Sequence, residues 1–288
     1  MSGNILFSVI LPTFKRVNKI SKAIDSVINQ TYQNWELIII DNMSNDGTKE
    51  LVERHHNKKI LFYQFDNQGI IAKSRNFGIE KSKGEYLCFL DSDDWWLYEK
   101  LESINDVLKD GHLFIYHNHL INSPNRFLKK RKINSKILTK PIFSNLINYG
   151  PSFATSSVTI KKSVFKKIGY FDTDKKYVAW EDFDAWIKLS KITDRFYKID
   201  KTLSTINVDN TNFLNDKLKI KNTGLFLNKY LAQSNKIPTW CLYNILVAEF
   251  NLNNFKEVKK VLKKINFFEL NITQVINFMR IYILCIFR

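Results

Sequence analysis

Asp91-Ser92-Asp93 follows the apolar run 86–90. Carboxylates at i and i+2 just past a strand end can both face one divalent cation. Mg2+ and Mn2+ take such hard oxygen ligands, keep several waters and share the phosphates of a bound substrate. An ion there would neutralise a leaving pyrophosphate. The plainer reading is an Asp-rich turn capping a helix that begins near Trp95. A second acidic pair, Glu181-Asp182, opens a helical pattern over 180–191, where the helix dipole favours carboxylates. Pro12-Thr13 and Asp41-Asn42 also close apolar runs and place polar groups where a ligand could meet them.

The surrounding pattern says how these residues are held. Ser8-Val9-Ile10-Leu11, closed by Pro12, reads as a buried strand. Ile20, Ala23, Ile24, Val27 and Ile28 recur at helical spacing over 19–29. A second strand is expected over 35–40, turn formers over 42–47, a short helix over 48–55 and a third strand over 60–65. A helix over 72–81, closed by Gly84, and a strand over 85–90 complete the series. Strands alternating with helices predict a parallel α/β sheet with right-handed crossovers. Ligands of such sheets sit at the carboxyl ends of the strands, where the three polar groups lie.

From 111 to 205 the pattern loosens, with a strand expected over 156–160 and a helix over 162–168 closed by Gly169. Residues 126–140 hold seven basic residues and no acidic one, which reads as an exposed, mobile loop. Beyond 206, helices are expected over 240–250, 254–265 and 272–287. The middle one carries Phe255, Val258, Leu262 and Ile265 on one face and Lys256, Lys259, Lys260, Lys263 and Lys264 on others. It could rest on an anionic membrane surface, or residues 240–288 could be a packing module or pair in a homodimer.

Composition narrows the classes. The 288 residues fit one large domain or two small ones. Cys88, Cys241 and Cys285 are odd in number and lack CxxC or Cys/His spacing, so they read as reduced thiols. No signal peptide opens the chain, and no apolar run reaches the ~18–20 residues of a spanning helix. The expected location is cytoplasmic, or peripheral on the inner face of the cytoplasmic membrane. The 44 basic against 28 acidic residues give +16, which favours anionic partners. A non-catalytic nucleotide- or RNA-binding basic α/β protein is the alternative reading. No RRM, KH or OB pattern supports nucleic acid, however, and the carboxylates at 91–94 would repel phosphate without a metal. A nucleotidyltransferase would need a glycine-rich loop where Pro12-Thr13-Phe14-Lys15-Arg16 stands.

Taken in order, the motifs are more specific. They begin with Ser8 to Arg16 and Ser26-Val27-Ile28-Asn29-Gln30-Thr31-Tyr32. Trp35 to Asn42 follows, with Ser44, Asp46, Gly47 and Thr48. Asn67-Gln68-Gly69, Ala72, Arg75-Asn76 and Gly78 come next, then Gly84-Glu85-Tyr86, Leu90 to Asp94, and Glu181-Asp182 with Asp184 and Trp186. Over about residues 6–212 this series resembles family 2 glycosyltransferases, in particular those building bacterial O-antigen, capsule or lipooligosaccharide. The resemblance implies a GT-A fold over 1–205, with a nucleotide-sugar half (1–110) and an acceptor half (111–205), and a helical extension over 206–288. It implies transfer of one sugar, with inversion, from a nucleotide-sugar donor, usually a UDP-sugar, to a glycan or lipid-linked glycan acceptor.

By motif, Pro12 and Thr13 should line the nucleoside pocket, and Asp41 should accept from the uracil N–H. Arg75 should lie near the base or diphosphate. Asp91, with Ser92 beside it, should meet the ribose or a metal-bound water, and Asp93 should ligate Mn2+ or Mg2+. Inversion needs a base on the acceptor side, and Asp182 is the expected one, with Glu181 assisting it or orienting the acceptor. Two features depart from the family. Asn207, in Ser204-Thr205-Ile206-Asn207-Val208-Asp209-Asn210, takes the place of a histidine that completes the metal site in many relatives. The arginine- and tryptophan-bearing motif of processive relatives is missing, which favours single addition.

Overall fold

A computed structural model describes residues 4–124, 131–208, 215–234 and 236–286. The described residues form two compact units, one within Met1–Ile142 and Pro151–Asn212, the other within Phe143–Gly150 and Phe213–Arg288.

The first unit is built on a nine-stranded sheet. Its opening runs β1 (Phe7–Thr13), α1 (Val17–Ile28), β2 (Trp35–Asp41), α2 (Thr48–Glu53), β3 (Ile60–Gln64), α3 (Ile71–Lys81) and β4 (Tyr86–Phe89). β1 is buried at every position, as a parallel strand covered on both faces must be. Then come β5 (Trp95–Trp96), α4 (Lys100–Leu108), β6 (Phe114–Asn122), β7 (Arg131–Ile133) and α5 (Ile142–Tyr149), the last belonging to the second unit from Phe143 on. A 3-10 turn (Thr155–Ser157), β8 (Thr159–Lys161), α6 (Lys162–Lys166), α7 (Glu181–Ser190) and β9 (Phe196–Asn207) complete it. Strand order is β3-β2-β1-β4-β8-β6-β9-β5, with β7 on β6. The expected α/β architecture is present, and parallel ladders hold most of the paired residues.

Registers decide what meets at the sheet's carboxyl edge. Thr13 pairs with Asp41, and Ile10 pairs with Phe89 just before Leu90 and Asp91. Chain order reverses between β1 and β4, so the crevice at their ends is the switch point where such sheets take ligands. One face of the sheet is covered by Ile20, Ala23, Ile24 and Val27 of α1 and Leu101 and Ile104 of α4. Across Phe89, an aromatic cluster of Phe114, Phe165, Phe171 and Trp186 seats α7.

Several expectations are corrected. Trp95 does not start a helix: Trp95 and Trp96 pair antiparallel with Thr205 and Ser204, and the helix begins at Lys100. Two adjacent indoles suit a pleated, half-buried surface better than a helix start. The loose stretch after 111 contains the long parallel ladder β6–β9, hidden in sequence by the buried polar residues His117 and Asn118. The strand expected over 156–160 is a 3-10 turn followed by β8. Of the basic run 126–140, residues 126–130 lie outside the described residues, while 131–133 form β7 on β6 rather than a loop.

The second unit holds α8 (Asp216–Tyr230), α9 (Thr239–Asn251), α10 (Phe255–Leu262) and α11 (Ile272–Ile286). Its core joins Leu242 and Leu246 of α9, Val258 and Val261 of α10, and Phe278, Ile281 and Cys285 of α11. Phe255, Val258 and Leu262 of α10, with Ile265 just beyond it, pack into this core, the packing role that was one expectation for this face beside a membrane or a second subunit. Its lysines at 256, 259, 260, 263 and 264 are exposed, and so are Ile272, Ile276, Met279 and Ile283 of α11. Among the described residues no helix is long and apolar enough to cross a membrane.

At the amino edge of the sheet, buried Glu36 accepts from Ser8 Oγ at 2.6 Å and from the Gly84 N–H at 3.2 Å. A Cβ on Gly84 would lie 2.6 Å from the Leu6 carbonyl oxygen and 2.7 Å from the Ser8 nitrogen, where backbone must move. Gly84→Ala should therefore cost about 1–3 kcal/mol, the usual penalty of overpacking, read as a lower urea midpoint with an unchanged m-value.

Candidate active site

A cleft of about 370 Å³ opens at the β1/β4 switch point, lined by Pro12, Thr13, Arg16, Asn42, Gly69 and Asp91-Ser92-Asp93 among others. Thr13 and Asp41 sit side by side at the ends of β1 and β2 and are almost fully buried. Asp41 Oδ2 accepts from the Ser44 N–H at 2.8 Å, but Asp41 Oδ1 and Thr13 Oγ1 have no partner. Buried polar atoms left without partners are rare, and a pair at the edge of a cleft is suited to a polar ligand. The next wall is the 67–69 loop, tied to Asn42 by the Asn67 N–H at 2.9 Å and to α3 by Asn67 Nδ2 on Ser74 Oγ at 2.8 Å.

Arg75, on the buried face of α3, joins the two halves of the site. One guanidinium nitrogen donates to Asp91 Oδ1 at 2.8 Å and the other to Glu181 Oε1 at 2.9 Å. Burial alone would lower the Arg75 pKa, but Asp91, Glu181 and Asp182 outweigh it and hold the group charged. Burial raises Glu181 above the usual carboxylate range; Arg75 opposes the shift and Asp182 adds to it. Glu181 Oε2 also accepts from the Trp180 N–H at 3.0 Å. Trp186, one and a half turns into α7, stands 5.1 Å from Phe114 and 5.7 Å from Phe171, centroid to centroid, which fixes where the helix begins. The fork geometry of arginine suits this double contact, which a lysine could not reproduce.

Asp182 is half-buried beside Glu181 and accepts from Thr155 Oγ1 at 2.6 Å. Asp93 lines the cleft, with Arg16 Nη2 at 3.9 Å. Ser92 is buried in the same wall. Asn207 reaches the acidic turn through its backbone: its N–H donates to Asp94 Oδ1 at 2.8 Å, while its amide oxygen accepts from Asn122 Nδ2 at 2.8 Å. Asp209 and Asn210 of the same stretch lie outside the described residues.

Sequence reasoning marked the carboxylates at 91–94 but passed over Lys100 and Ser156, which hold Asp94 in place. Asp94 is buried and accepts from Ser156 Oγ at 2.6 Å. Lys100, fully buried, donates to the Ser156 carbonyl at 2.7 Å and lies over the Trp96 ring. Burial lowers Lys100 to about 7, opposed by Cys88 and Asp94, and burial with Asp91 raises Asp94. The available signal was a lysine in the first turn of an otherwise amphipathic helix, and three hydroxyl residues in a row at 155–157.

The donor set suits a hard cation only in part. No group of three or more His, Cys, Asp or Glu side chains converges on one point among the described residues. Asp91 and Asp93, two carboxylates two residues apart on a cleft wall, fit an ion that completes its shell with water and substrate phosphate.

Residues 8–169 match the family described as Glycosyl transferase family 2. An uncharacterized glycosyltransferase of Rickettsia bellii is 30% identical over 84% of this chain, which spans only 33% of that relative's length. The Escherichia coli UDP-Glc:alpha-D-GlcNAc-diphosphoundecaprenol beta-1,3-glucosyltransferase WfgD is 27% identical over 78% of this chain and 81% of its own. The crystal structure of S. aureus TarS 1-349 in complex with UDP-GlcNAc superposes with a TM-score of 0.64 at 18% identity, covering 95% of this chain and 79% of that one. At that identity the likeness shows the fold.

Removing one partner of a buried ion pair costs about 3–5 kcal/mol, because the other charge is left uncompensated. Arg75→Met should show a loss of that size near neutral pH. With Glu181 raised above its unfolded value, the folded state binds the proton more tightly, so stability falls as pH rises through that range. The variant's deficit should be widest at neutral pH and shrink as pH drops toward 5, read from melting curves across pH.

Proposed function

The chain belongs to glycosyl transferase family 2, and from that footing we propose that it moves one sugar, with inversion, from a UDP-sugar to a hydroxyl of a lipid-linked glycan. The observation that carries this reading is the Arg75 contact, which ties Asp91, a strand-end carboxylate lining the switch-point cleft, to Glu181, a helix-start carboxylate. The unpartnered Asp41 Oδ1 and Thr13 Oγ1 support a nucleoside base at the β1/β2 end, Asp41 accepting its ring N–H. Pro12 closes that pocket, and Asp91 with Ser92 faces the ribose and diphosphate.

On this reading the acceptor oxygen attacks the anomeric carbon from the side opposite the diphosphate. The carbon–oxygen bond to the diphosphate breaks, and its electron pair leaves with the phosphate. The acceptor's proton passes to Asp182, a carboxylate at a helix start, where the dipole favours the charged form. Glu181, tied to Arg75, orients the acceptor. Asp93, with Asp91, would hold Mn2+ or Mg2+, which supplies positive charge for the leaving diphosphate. Asn207 is placed to support this set through Asp94, since its amide oxygen already meets Asn122.

The WfgD name specifies a diphosphoundecaprenol-linked acceptor, and this supports a lipid-linked glycan for the present chain. Such an acceptor would bring the enzyme to the inner face of the cytoplasmic membrane as a peripheral protein. A role in surface polysaccharide synthesis follows from the same comparison.

Asp182→Asn should lower transfer by the ~10²–10⁴ typical of general-base removal, with UDP-sugar affinity unchanged. Asp93→Asn, or EDTA with the unmodified chain, should abolish turnover and the thermal shift given by UDP-sugar with Mn2+. At a hundred times its dissociation constant, a bound donor adds about 2.7 kcal/mol of stability. Full activity of Asp93→Asn in EDTA would remove the metal from the scheme. Loss of activity in Glu181→Gln with Asp182→Asn unaffected would exchange the two roles.

A further inference from the structure

The turn Thr155–Ser157 leads into β8, which runs antiparallel to β4 with Thr159 opposite Cys88. This pairing brings the turn alongside the end of β4, next to Asp91. Ser156, 1% exposed, is saturated there. Its hydroxyl accepts from the Asp91 N–H at 3.0 Å and donates to Asp94 Oδ2 at 2.6 Å. Its carbonyl accepts from Trp96 Nε1 at 3.1 Å and from Lys100 Nζ at 2.7 Å. The buried Lys100 and Asp94 therefore grip the two ends of one serine, and Asp94 passes the hold on to β9 through the Asn207 N–H at 2.8 Å.

Thr155, the preceding residue, faces the other way. Its hydroxyl donates to Asp182 Oδ2 at 2.6 Å, within the short range of charge-assisted hydrogen bonds. The turn itself is closed by Ser157 N–H on the Ala154 carbonyl at 2.9 Å and Val158 N–H on the Thr155 carbonyl at 3.0 Å. Two hydroxyls one peptide unit apart, about 3.8 Å between Cα atoms, thus touch the acceptor-side carboxylate and the donor-side turn.

We propose that Thr155 and Ser156 are a pair of positioning residues that fix Asp182 relative to the Asp91–Asp94 turn. The roles on which this rests are those given above to Asp182 and to the acidic turn. Thr155 aims one Asp182 oxygen, leaving lone pairs for the acceptor proton. Ser156 holds the donor side rigid beneath the diphosphate. A misplacement of either side lengthens the attack path, and reactions of this kind are steeply sensitive to such distance.

Thr155→Val keeps the side-chain shape and removes the hydroxyl, and Thr155→Ser restores it. In steady-state transfer from a UDP-sugar, Thr155→Val should lose about tenfold to a hundredfold in kcat with donor KM unchanged, and Thr155→Ser should recover most of it. In the full chain, carbon NMR of the Asp182 carboxyl, assigned with Asp182→Asn, should show its resonance displaced in Thr155→Val at a fixed pH and restored in Thr155→Ser. Arg75 and Glu181, the other charged groups beside it, are the same in both proteins. Ser156→Ala should weaken UDP binding in Mn2+ about tenfold, while Thr155→Val leaves it alone. If Ser156→Ala does not fold, Asp94→Asn carries that arm. An unchanged kcat and an unmoved Asp182 carboxyl resonance in folded Thr155→Val would overturn the proposal. So would donor binding indifferent to both Ser156→Ala and Asp94→Asn. A wild-type chain that transfers no sugar from any nucleotide sugar would overturn the functional reading instead, and the NMR comparison would still decide the Thr155–Asp182 contact.

Discussion

The cleft depends on one guanidinium. Arg75 links the end of β4 directly to the start of α7, segments ninety residues apart in the chain. It can reach both because α3 lies tight against the sheet: a Cβ at Gly78 would come 2.5 Å from Ile40 Cδ1 and 3.0 Å from Ile10 Cγ2. Close approach of the helix buries Arg75, and burial makes two carboxylate partners a requirement. The aromatic seat under Trp186 then has to deliver Glu181 to that point. Helix packing, sheet register and charge balance are in this way conditions on one another.

The same constraint explains an apparent contradiction in charge. The chain carries +16, yet Asp91 and Asp93 line the cleft, Asp94 follows them in the chain, and Arg75 ties Asp91 to Glu181, the neighbour of Asp182. Arg16, Arg75 and Lys100 are interleaved among them, each near a different carboxylate. A ligand bearing phosphates meets mixed charge at short range inside a long-range positive field. Such a field raises the rate of encounter with an anionic ligand.

The donor-side fold could be read from the chain because its signals are local. Ser8 to Leu11, Trp35 to Ile40 and Tyr86 to Leu90 are short apolar runs bounded by turn formers, and the polar residues that follow them fall at the sheet edge by topology alone. The rest was hidden by long-range pairing. β6 and β9 are strands because each lies against the other about eighty residues away, and His117 and Asn118 break the alternation that would have marked them. Trp95 and Trp96 look like a helix start until β9 arrives beside them. Motif order drew attention to Arg75, Asp91 and Glu181, but not to Arg75 as the hinge between them. Ser156 and Lys100 left no trace in spacing, since a buried hydroxyl and a buried ammonium look like surface residues until the packing is seen. In the second unit, amphipathicity marked the apolar side of α10 correctly but not what covers it, which is α9 and α11.

The Asn207–Asp94 contact spans 113 positions, and this orders events on the ribosome. At roughly 5–20 residues per second, residue 207 is added about 6–23 s after residue 94. During that interval β1 to β4, whose contacts are already synthesised, can assemble the nucleotide side. The strand that closes over the acidic turn does not yet exist, and α7 joins only shortly before it. A growing chain therefore has the strand ends that line the cleft well before it has the carboxylates of α7, and the sheet is complete only with β9.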